Sequence, residues 1–241
     1  MRILYWIVVV GALLLSGASA WLFFGDLNKD EKSQAQAVFE QRIEALNPDA
    51  EAGRSGAQYR LAQTYRQVDD PELQDFSLAR YWYKKAAEQG HLDAQYELAM
   101  LYKNGLGVPQ SYHRAAEWLR LAAGLGRHKE AQFELGELYF RGRGVAHDYG
   151  QAVSWYQKAA GRGHPISQYL LGVMFSEGWG VESDDQEAYK WLTLAAPHRD
   201  AILAFDKNSD VRAAREKLLQ RMNRSQIDAA KKRVQSWKPQ Q

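Results

Sequence analysis

Two apolar rhythms alternate along residues 57–196. The first reads "AQYRLAQTY", "AQYELAMLY", "AQFELGELY" and "SQYLLGVMF", starting at Ala57, Ala94, Ala131 and Ser167. Its apolar positions fall three and four apart, so Tyr96, Leu98, Ala99 and Tyr102 gather on one side of a helix. The second centres on Trp82, Trp118, Trp155 and Trp191, spaced 36, 37 and 36 residues apart. An alanine stands three residues before each tryptophan (Ala79, Ala115, Ala152, Ala188), and an alanine pair follows it, as in Ala86-Ala87 and Ala159-Ala160. Both segments predict helices, and their alternation predicts four helix pairs. A single pair buries too little apolar surface to stand alone, so neighbours must stack.

The punctuation agrees with this division. A glycine link, "NGLGV", "RGRGV" or "EGWGV", separates the two helices in the last three units, while the first unit has "RQVDDPELQDF", with Pro71 and no glycine. Glycine closes a helix because it takes positive φ without a Cβ penalty. If Gly144 holds that conformation, Gly144→Val is expected to cost about 1–2 kcal/mol. Asp148, and Ser183 or Asp184, read as N-caps of second helices. His91 and His164 close the near-identical stretches "WYKKAAEQGH" and "WYQKAAGRGH", where a turn or capping role is expected. Beyond the last unit, helices are expected at about 208–222 and 226–237. The second has a capping-box-like start at Ser225 to Asp228 and an apolar face of Ile227, Ala230 and Val234. Such helices would cover the stacking face of the last pair.

The whole unit, A-x-Y-x-L-G-x-L-Y-x-x-G-x-G-V-x-x-D-Y-x-x-A-x-x-W-Y-x-K-A-A-x-x-G-H, resembles the Sel-one-like repeat family, a relative of the tetratricopeptide arrays. The third unit carries it most fully, at Phe133, Leu135, Gly136, Leu138, Tyr139, Gly142, Gly144, Val145, Asp148, Tyr149, Ala152, Trp155, Tyr156 and Lys158. The resemblance covers roughly 57–196, and the ending is similar to the closing helices of such arrays. It implies an all-α fold, a right-handed α-α solenoid of four helix-pair repeats with C-terminal capping helices. It also implies adaptor roles in assembling or regulating envelope complexes. Departures lie in the first link and at Pro197, which replaces the Gly-His continuation and suggests that the array stops after four units.

The N-terminus changes the picture from soluble to anchored. After Arg2 no charge occurs from Ile3 to Phe24, enough for a spanning helix of about 20 residues. Ala18-Ser19-Ala20 also fits a signal-peptide cleavage site. Cleavage there would leave Trp21-Leu22-Phe23-Phe24 as an apolar new terminus, which suits the interfacial end of a retained helix better. The expected organisation is a membrane signal-anchor or signal peptide (1–24), an acidic helical or linker segment (25–56), the four repeats (57–196) and basic capping helices (197–241). The repeats would then lie in the periplasm, held to a bacterial inner membrane through residues 3–24. The alternative is a soluble periplasmic or secreted body cut after Ala20.

Charge is uneven along the 241 residues. Residues 26–75 hold 6 Lys and Arg against 11 Asp and Glu, residues 76–197 balance at 13 each, and residues 198–241 hold 11 against 5. The basic tail (Arg212, Arg215, Arg221, Arg224, Lys231, Lys232, Arg233) reads as a solvated helix face, with weak contact to an acidic partner or anionic surface as the minority reading. The net charge of +2 does not argue for nucleic acid, and the repeat already accounts for the aromatics.

No chemistry-bearing motif emerges. There is no cysteine, so thiolate metal sites and cysteine nucleophiles are excluded. The six histidines include no H-E-x-x-H, and no G-x-S-x-G or Walker lysine is present. Asp69-Asp70 and Asp184-Asp185 sit where helix caps are expected. No catalytic residue, metal or cofactor is expected.

A non-enzymatic scaffold that binds a protein partner is therefore the leading reading. Within the first helix of each unit three positions vary on one face: Arg60, Gln63, Arg66; Glu97, Met100, Lys103; Glu134, Glu137, Phe140; Leu170, Val173, Ser176. Partner contacts are expected from Arg60, Glu97, Met100, Glu134, Phe140, Leu170 and Val173. The apolar Leu170 and Val173 need a cover, either the C-terminal helices or a docked segment. The rival reading is a peptidoglycan- or carbohydrate-binding accessory protein, with Trp179, Arg141 and Arg143 supplying stacking and charge.

Overall fold

A computed structural model of the chain describes residues 17–68, 70–124 and 128–240, with side chains in its first helix from residue 32 onward. Among these residues every regular element is helical. The first helix, α1 (Gly17–Glu51), precedes four pairs: α2 (Ser55–Arg66) with α3 (Phe76–Glu88), α4 (Leu92–Asn104) with α5 (Tyr112–Gly124), α6 (Lys129–Arg141) with α7 (Tyr149–Gly161), and α8 (Pro165–Glu177) with α9 (Asp185–Ala195). A 3₁₀ turn (Ala196–His198) and α10 (Arg199–Phe205), α11 (Val211–Arg221) and α12 (Arg224–Ser236) follow. Residues 1–16 of the expected membrane segment lie outside the described residues. No described helix is long and apolar enough to cross a membrane.

The chain divides into two compact units, Met1–Trp82 and Tyr83–Gln241. In the first, the last turns of α1 pack on α2: Ala50, Ala57 and Leu61 are buried, with Ile43, Leu46, Tyr65 and Trp82 against them. In the second, the pairs stack in sequence. Small residues let them approach, since Ala99, Ala115, Ala116, Ala122, Ala152 and Ala159 are all fully buried. The closest approach falls at Gly136 and Gly172, where an added Cβ would lie 2.6 Å from the Tyr156 ring and 2.5 Å from the Leu192 side chain. Earlier units have Ala62 and Ala99 at that position.

The caps explain where the helices begin. Asp148 accepts from the Gln151 N–H at 2.9 Å, and Asp184, rather than Ser183, accepts from Gln186 and Glu187 at 2.8 and 3.0 Å. His91, His128 and His164 each precede a first helix, and their Nδ1 accepts from the N–H of Ala94, Ala131 and Ser167 at 3.3, 3.2 and 3.2 Å. His128 thus joins the two capping histidines expected from sequence. Aromatic residues of the preceding first helices cover two of these rings: Tyr96 stacks on His128 at 4.7 Å and Phe133 on His164 at 4.5 Å.

Burial beneath Phe133 pushes the His164 pKa down to about 4 from its ordinary 6.5. Its neutral Nδ1 is also what the cap requires. The unfolded chain protonates this histidine first, so stability falls as pH drops from about 6.5 toward 4. The loss should reach about 3 kcal/mol at the lower limit. His164→Asn keeps a capping oxygen but does not titrate, so its melting temperature should decline less over that interval. Parallel thermal melts of the two proteins between pH 7 and 4 check this.

At the C-terminus two expectations change. The last helix starts at Arg224, with Asn223 rather than Ser225 as its cap: Asn223 and Gln226 exchange hydrogen bonds of 2.9 and 3.0 Å in a capping box. The short helix α10 was not expected, because seven residues are too few for a periodic signature. Ile227, Ala230 and Val234 do turn toward the core: Ala230 is fully buried and the other two pack beside it.

Candidate functional site

A buried glutamine ties each first helix to the helix before it. Gln58, Gln95, Gln132 and Gln168 donate through Nε2 to the carbonyls of Ala50, Ala87, Ala123 and Ala160 at 3.0, 3.1, 3.0 and 3.3 Å. Each carbonyl belongs to a helix C-terminus, and those of Ala50, Ala87 and Ala160 also accept from the N–H of the turn glycines Gly53, Gly90 and Gly163, so the glutamine uses their second lone pair. The bond from Gln58 shows that the end of α1 serves the first pair as α3, α5 and α7 serve the later ones. The recurring Ala-Gln and Ser-Gln dipeptides were the visible signal. Their role depends on a partner carbonyl eight or nine residues upstream, which the glutamine's own spacing does not reveal.

This frame holds the polar face of α4 and α6. Lys103 of α4 pairs with Glu134 of α6 and so bridges adjacent repeats. One turn on, Glu137 accepts from the Tyr156 hydroxyl at 2.6 Å and from Arg141 Nε at 2.7 Å. Burial, with the Glu137 carboxylate beside it, holds the Tyr156 hydroxyl far above its usual range. Arg141 is raised by its hydrogen bond to Glu137. Glu134 and Glu137 are only 9% and 8% exposed. Glu134 is therefore not the open partner contact expected from sequence: its charge is already committed to Lys103.

Beside these pairs lies a cleft of about 200 Å³, lined by Lys103, Tyr112, Glu137, Leu138, Arg141 and Arg143. Lys103 and Arg141 have carboxylate partners, whereas Arg143 lies over the Tyr112 ring at 5.5 Å and is otherwise open to solvent. The cleft therefore offers a net positive corner between the second and third pairs. Glu97 and Met100 stand half-buried on α4, on the same helix as Lys103.

The other expected contacts separate. Arg60 is exposed in the N-terminal unit. Phe140 is half-buried, with its ring 5.2 Å from Tyr149 and 6.3 Å from Trp179. Leu170 and Val173 pack against a core cluster to which the closing helices contribute Ile202, Val211, Leu218, Met222 and Ala230. Helix α8 touches both α10 and α11. Phe205, ending α10, meets Phe133 edge-on at 5.7 Å.

The basic tail is partly spent inside the fold. Arg221 pairs with Asp185, Lys217 with Glu177 at 3.2 Å, and Arg233 with Asp184 and Glu187 at 3.2 and 2.8 Å. Burial acts to raise the Asp184 carboxyl, but backbone N–H groups and Arg233 outweigh it and hold the group below its usual range. The Gln240 N–H reaches the Gly161 carbonyl at 2.7 Å, so the tail also closes the end of α7. Among the described residues no group of three or more His, Asp or Glu is placed to hold a metal ion.

Trp179 and Arg143 occupy equivalent places in successive links. Each lies on the tyrosine that opens the second helix of the preceding pair: Arg143 on Tyr112, and Trp179 on Tyr149, with the last two rings 6.1 Å apart and 20° from parallel. Stacking between repeats thus positions both, while each keeps an exposed side.

A model of the Sel1 repeat matches residues 55–91, 92–126, 129–164 and 165–196. The chain belongs to the Sel1 repeat family. The four matched segments coincide with the helix pairs. A solved Sel1 repeat protein from Oxalobacter formigenes is 25% identical, with a TM-score of 0.61 over 84% of this chain and 87% of that one. A protective antigen of uropathogenic Escherichia coli strains, displaying an SLR fold, is 29% identical over 81% of this chain, with a TM-score of 0.47. This chain spans 48% of that antigen's length. No curated protein matches the chain in sequence. Sel1 repeat proteins are generally non-enzymatic scaffolds that mediate protein–protein interaction.

Proposed function

We propose that this Sel1 repeat chain is a non-enzymatic adaptor of the bacterial cell envelope, and that its partner protein docks on the face of α4 and α6. The observation that carries this is the cleft between the second and third repeats. There Arg143 has no carboxylate partner among the described residues, and outside the cleft's lining half-buried Met100, three residues before Lys103 on α4, offers an adaptable apolar contact. A partner carboxylate entering beside Arg143 would complete the charge pattern that Glu134 and Glu137 complete for Lys103 and Arg141.

Membrane anchoring through residues 3–24 belongs to the same proposal. It rests on the uncharged stretch from Ile3 to Phe24 and on the course of α1, which runs through Ala20 and Trp21 as one helix. Proteolytic processing needs an extended segment, and a continuous helix there favours retention. Exposed residues of the tail such as Lys231 and Lys232 remain available to an acidic surface.

The test is co-isolation of the partner from detergent-solubilised membranes, using the native chain and a Met100→Asp/Arg143→Glu variant. The proposal expects the variant to keep its melting temperature and lose the partner. A folded variant that retains every partner would refute it. The cluster of Phe140, Tyr149 and Trp179, the last 42% exposed, favours a second reading as a carbohydrate-binding protein. Sedimentation with peptidoglycan sacculi, abolished by Trp179→Ala, is the outcome that reading requires.

A further inference from the structure

The N-terminal unit holds a second surface, distinct from the cleft between the second and third repeats. Between α1 and α2 runs an open groove of about 640 Å³, within the size range of ligand-binding clefts. Val38, Phe39, Leu46 and Val68 give it an apolar lining, and Val38 is 49% exposed. Arg42 and Arg60, both exposed, line the same groove with the neutral polar Gln63, Thr64 and Gln67, and Asp70 is its one lining carboxylate among the described residues.

The charge pattern around these two arginines is unusual. Residues 26–75 contain 6 cationic and 11 acidic side chains, so carboxylates are in surplus. Two neighbouring cations take advantage of this: Lys32 pairs with Glu72 at 3.7 Å and Arg54 with Asp49 at 2.7 Å. The guanidinium groups of Arg42 and Arg60 make no ion pair with any described carboxylate. Two open cations beside an apolar strip, against the single lining carboxylate Asp70 and within an otherwise acidic segment, define a narrow complementarity. Polyanions such as nucleic acid or an anionic membrane are repelled by the surrounding excess of carboxylates. A short segment with only a few carboxylates is repelled far less, and burial of its apolar stripe together with two guanidinium contacts offsets that cost.

We propose that this groove binds an acidic amphipathic helix of a partner protein. Its apolar stripe lies along Val38, Phe39 and Leu46, and two of its carboxylates meet Arg42 and Arg60. A helix is the natural occupant because the groove runs between two helices, whose side-chain ridges accept a third. Arginine suits the contact because its planar fork binds carboxylate through two parallel hydrogen bonds. The proposal stands or falls independently of the cleft between α4 and α6.

The experiment uses the full chain in detergent micelles as bait for a displayed library of random 16-residue peptides. The enriched peptides should combine apolar residues three and four apart with Asp or Glu on the flanks. Synthesised and labelled, they should lose about tenfold or more in affinity for Arg42→Glu/Arg60→Glu, the scale of one lost charge-assisted contact. They should bind Arg143→Glu as they bind the native chain. Both substituted arginines are unpaired and exposed, so the double variant should melt as the native protein does. The proposal is overturned if no peptide is enriched, if the enriched peptides are neutral or basic, or if they bind the double variant unchanged. It is equally overturned if the groove is occupied by a second copy of the chain, seen as a dimer that the double variant dissociates.

Discussion

Gly144→Val should cost at least about 3 kcal/mol, more than left-handed backbone strain alone would take. The residue sits at φ +70°, as its place in the link suggested. The larger part of the expected effect comes from its neighbours. An added Cβ would lie 2.3 Å from the Tyr112 carbonyl carbon, 2.4 Å from the His113 nitrogen and 2.5 Å from the Tyr112 oxygen. These are backbone atoms at the start of α5, so no rotamer change can relieve the clash. The link must lift away from the preceding repeat, and Arg143 would leave the Tyr112 ring with it. Gly180 repeats the arrangement against Tyr149, at 2.4 and 2.5 Å. Gly163 provides the control: its φ is +79°, but an added Cβ would meet nothing within 4 Å. Gly163→Val should therefore cost only about 1–2 kcal/mol. Urea denaturation of the two variants measures the difference, and equal losses would show that the close approach is unimportant.

Leu170→Asp/Val173→Asp should destabilise the protein by about 3 kcal/mol or more and loosen α10 to α12. Both residues pack against the cluster that contains Ile202, Val211 and Leu218. Two carboxylates there would lose hydration, and the cations of the closing helices nearest to α8 are already engaged. Arg221, Lys217 and Arg233 already serve Asp185, Glu177, Asp184 and Glu187. Accelerated amide exchange in residues 199–236, with the repeats before α8 still protected, is the expected signature. A variant that melts normally and loses a binding partner instead would mean that these residues face an interface.

These two predictions mark how far the sequence could be read. Helix pairs, link glycines and the aspartate caps were visible because they depend on short-range spacing and on residue chemistry that acts within one turn. The contact between Gly144 and Tyr112 was not, because 32 positions of sequence separate the two residues and only the stacking of repeats brings them together. The same holds for Glu134 and Glu137. Their helical register placed them on a polar face, but Lys103, from the preceding repeat, pairs with Glu134, and the Tyr156 hydroxyl, from the partner helix, donates to Glu137 beside its ion pair with Arg141. The end of α1 was expected only as part of an acidic helical or linker segment outside the repeats, although Ala50 and Gln58 complete the same bond as in later units. The openness of the face at Met100 and Arg143 was half legible. Met100 falls on the variable face of its helix and Arg143 among the link cations, but the cleft that unites Arg143 with Lys103 required the fold.

The most direct test of the central claim, that a partner protein docks on the first-helix face of the second and third repeats, is site-specific photo-crosslinking in intact cells. A benzophenone amino acid replaces Met100 in one variant and the exposed Gln157, on the second helix of the third repeat, in another. The account predicts a discrete protein adduct from position 100 that disappears with Arg143→Glu, and no adduct from position 157. Adducts of equal yield from both positions, or from position 157 alone, would contradict it.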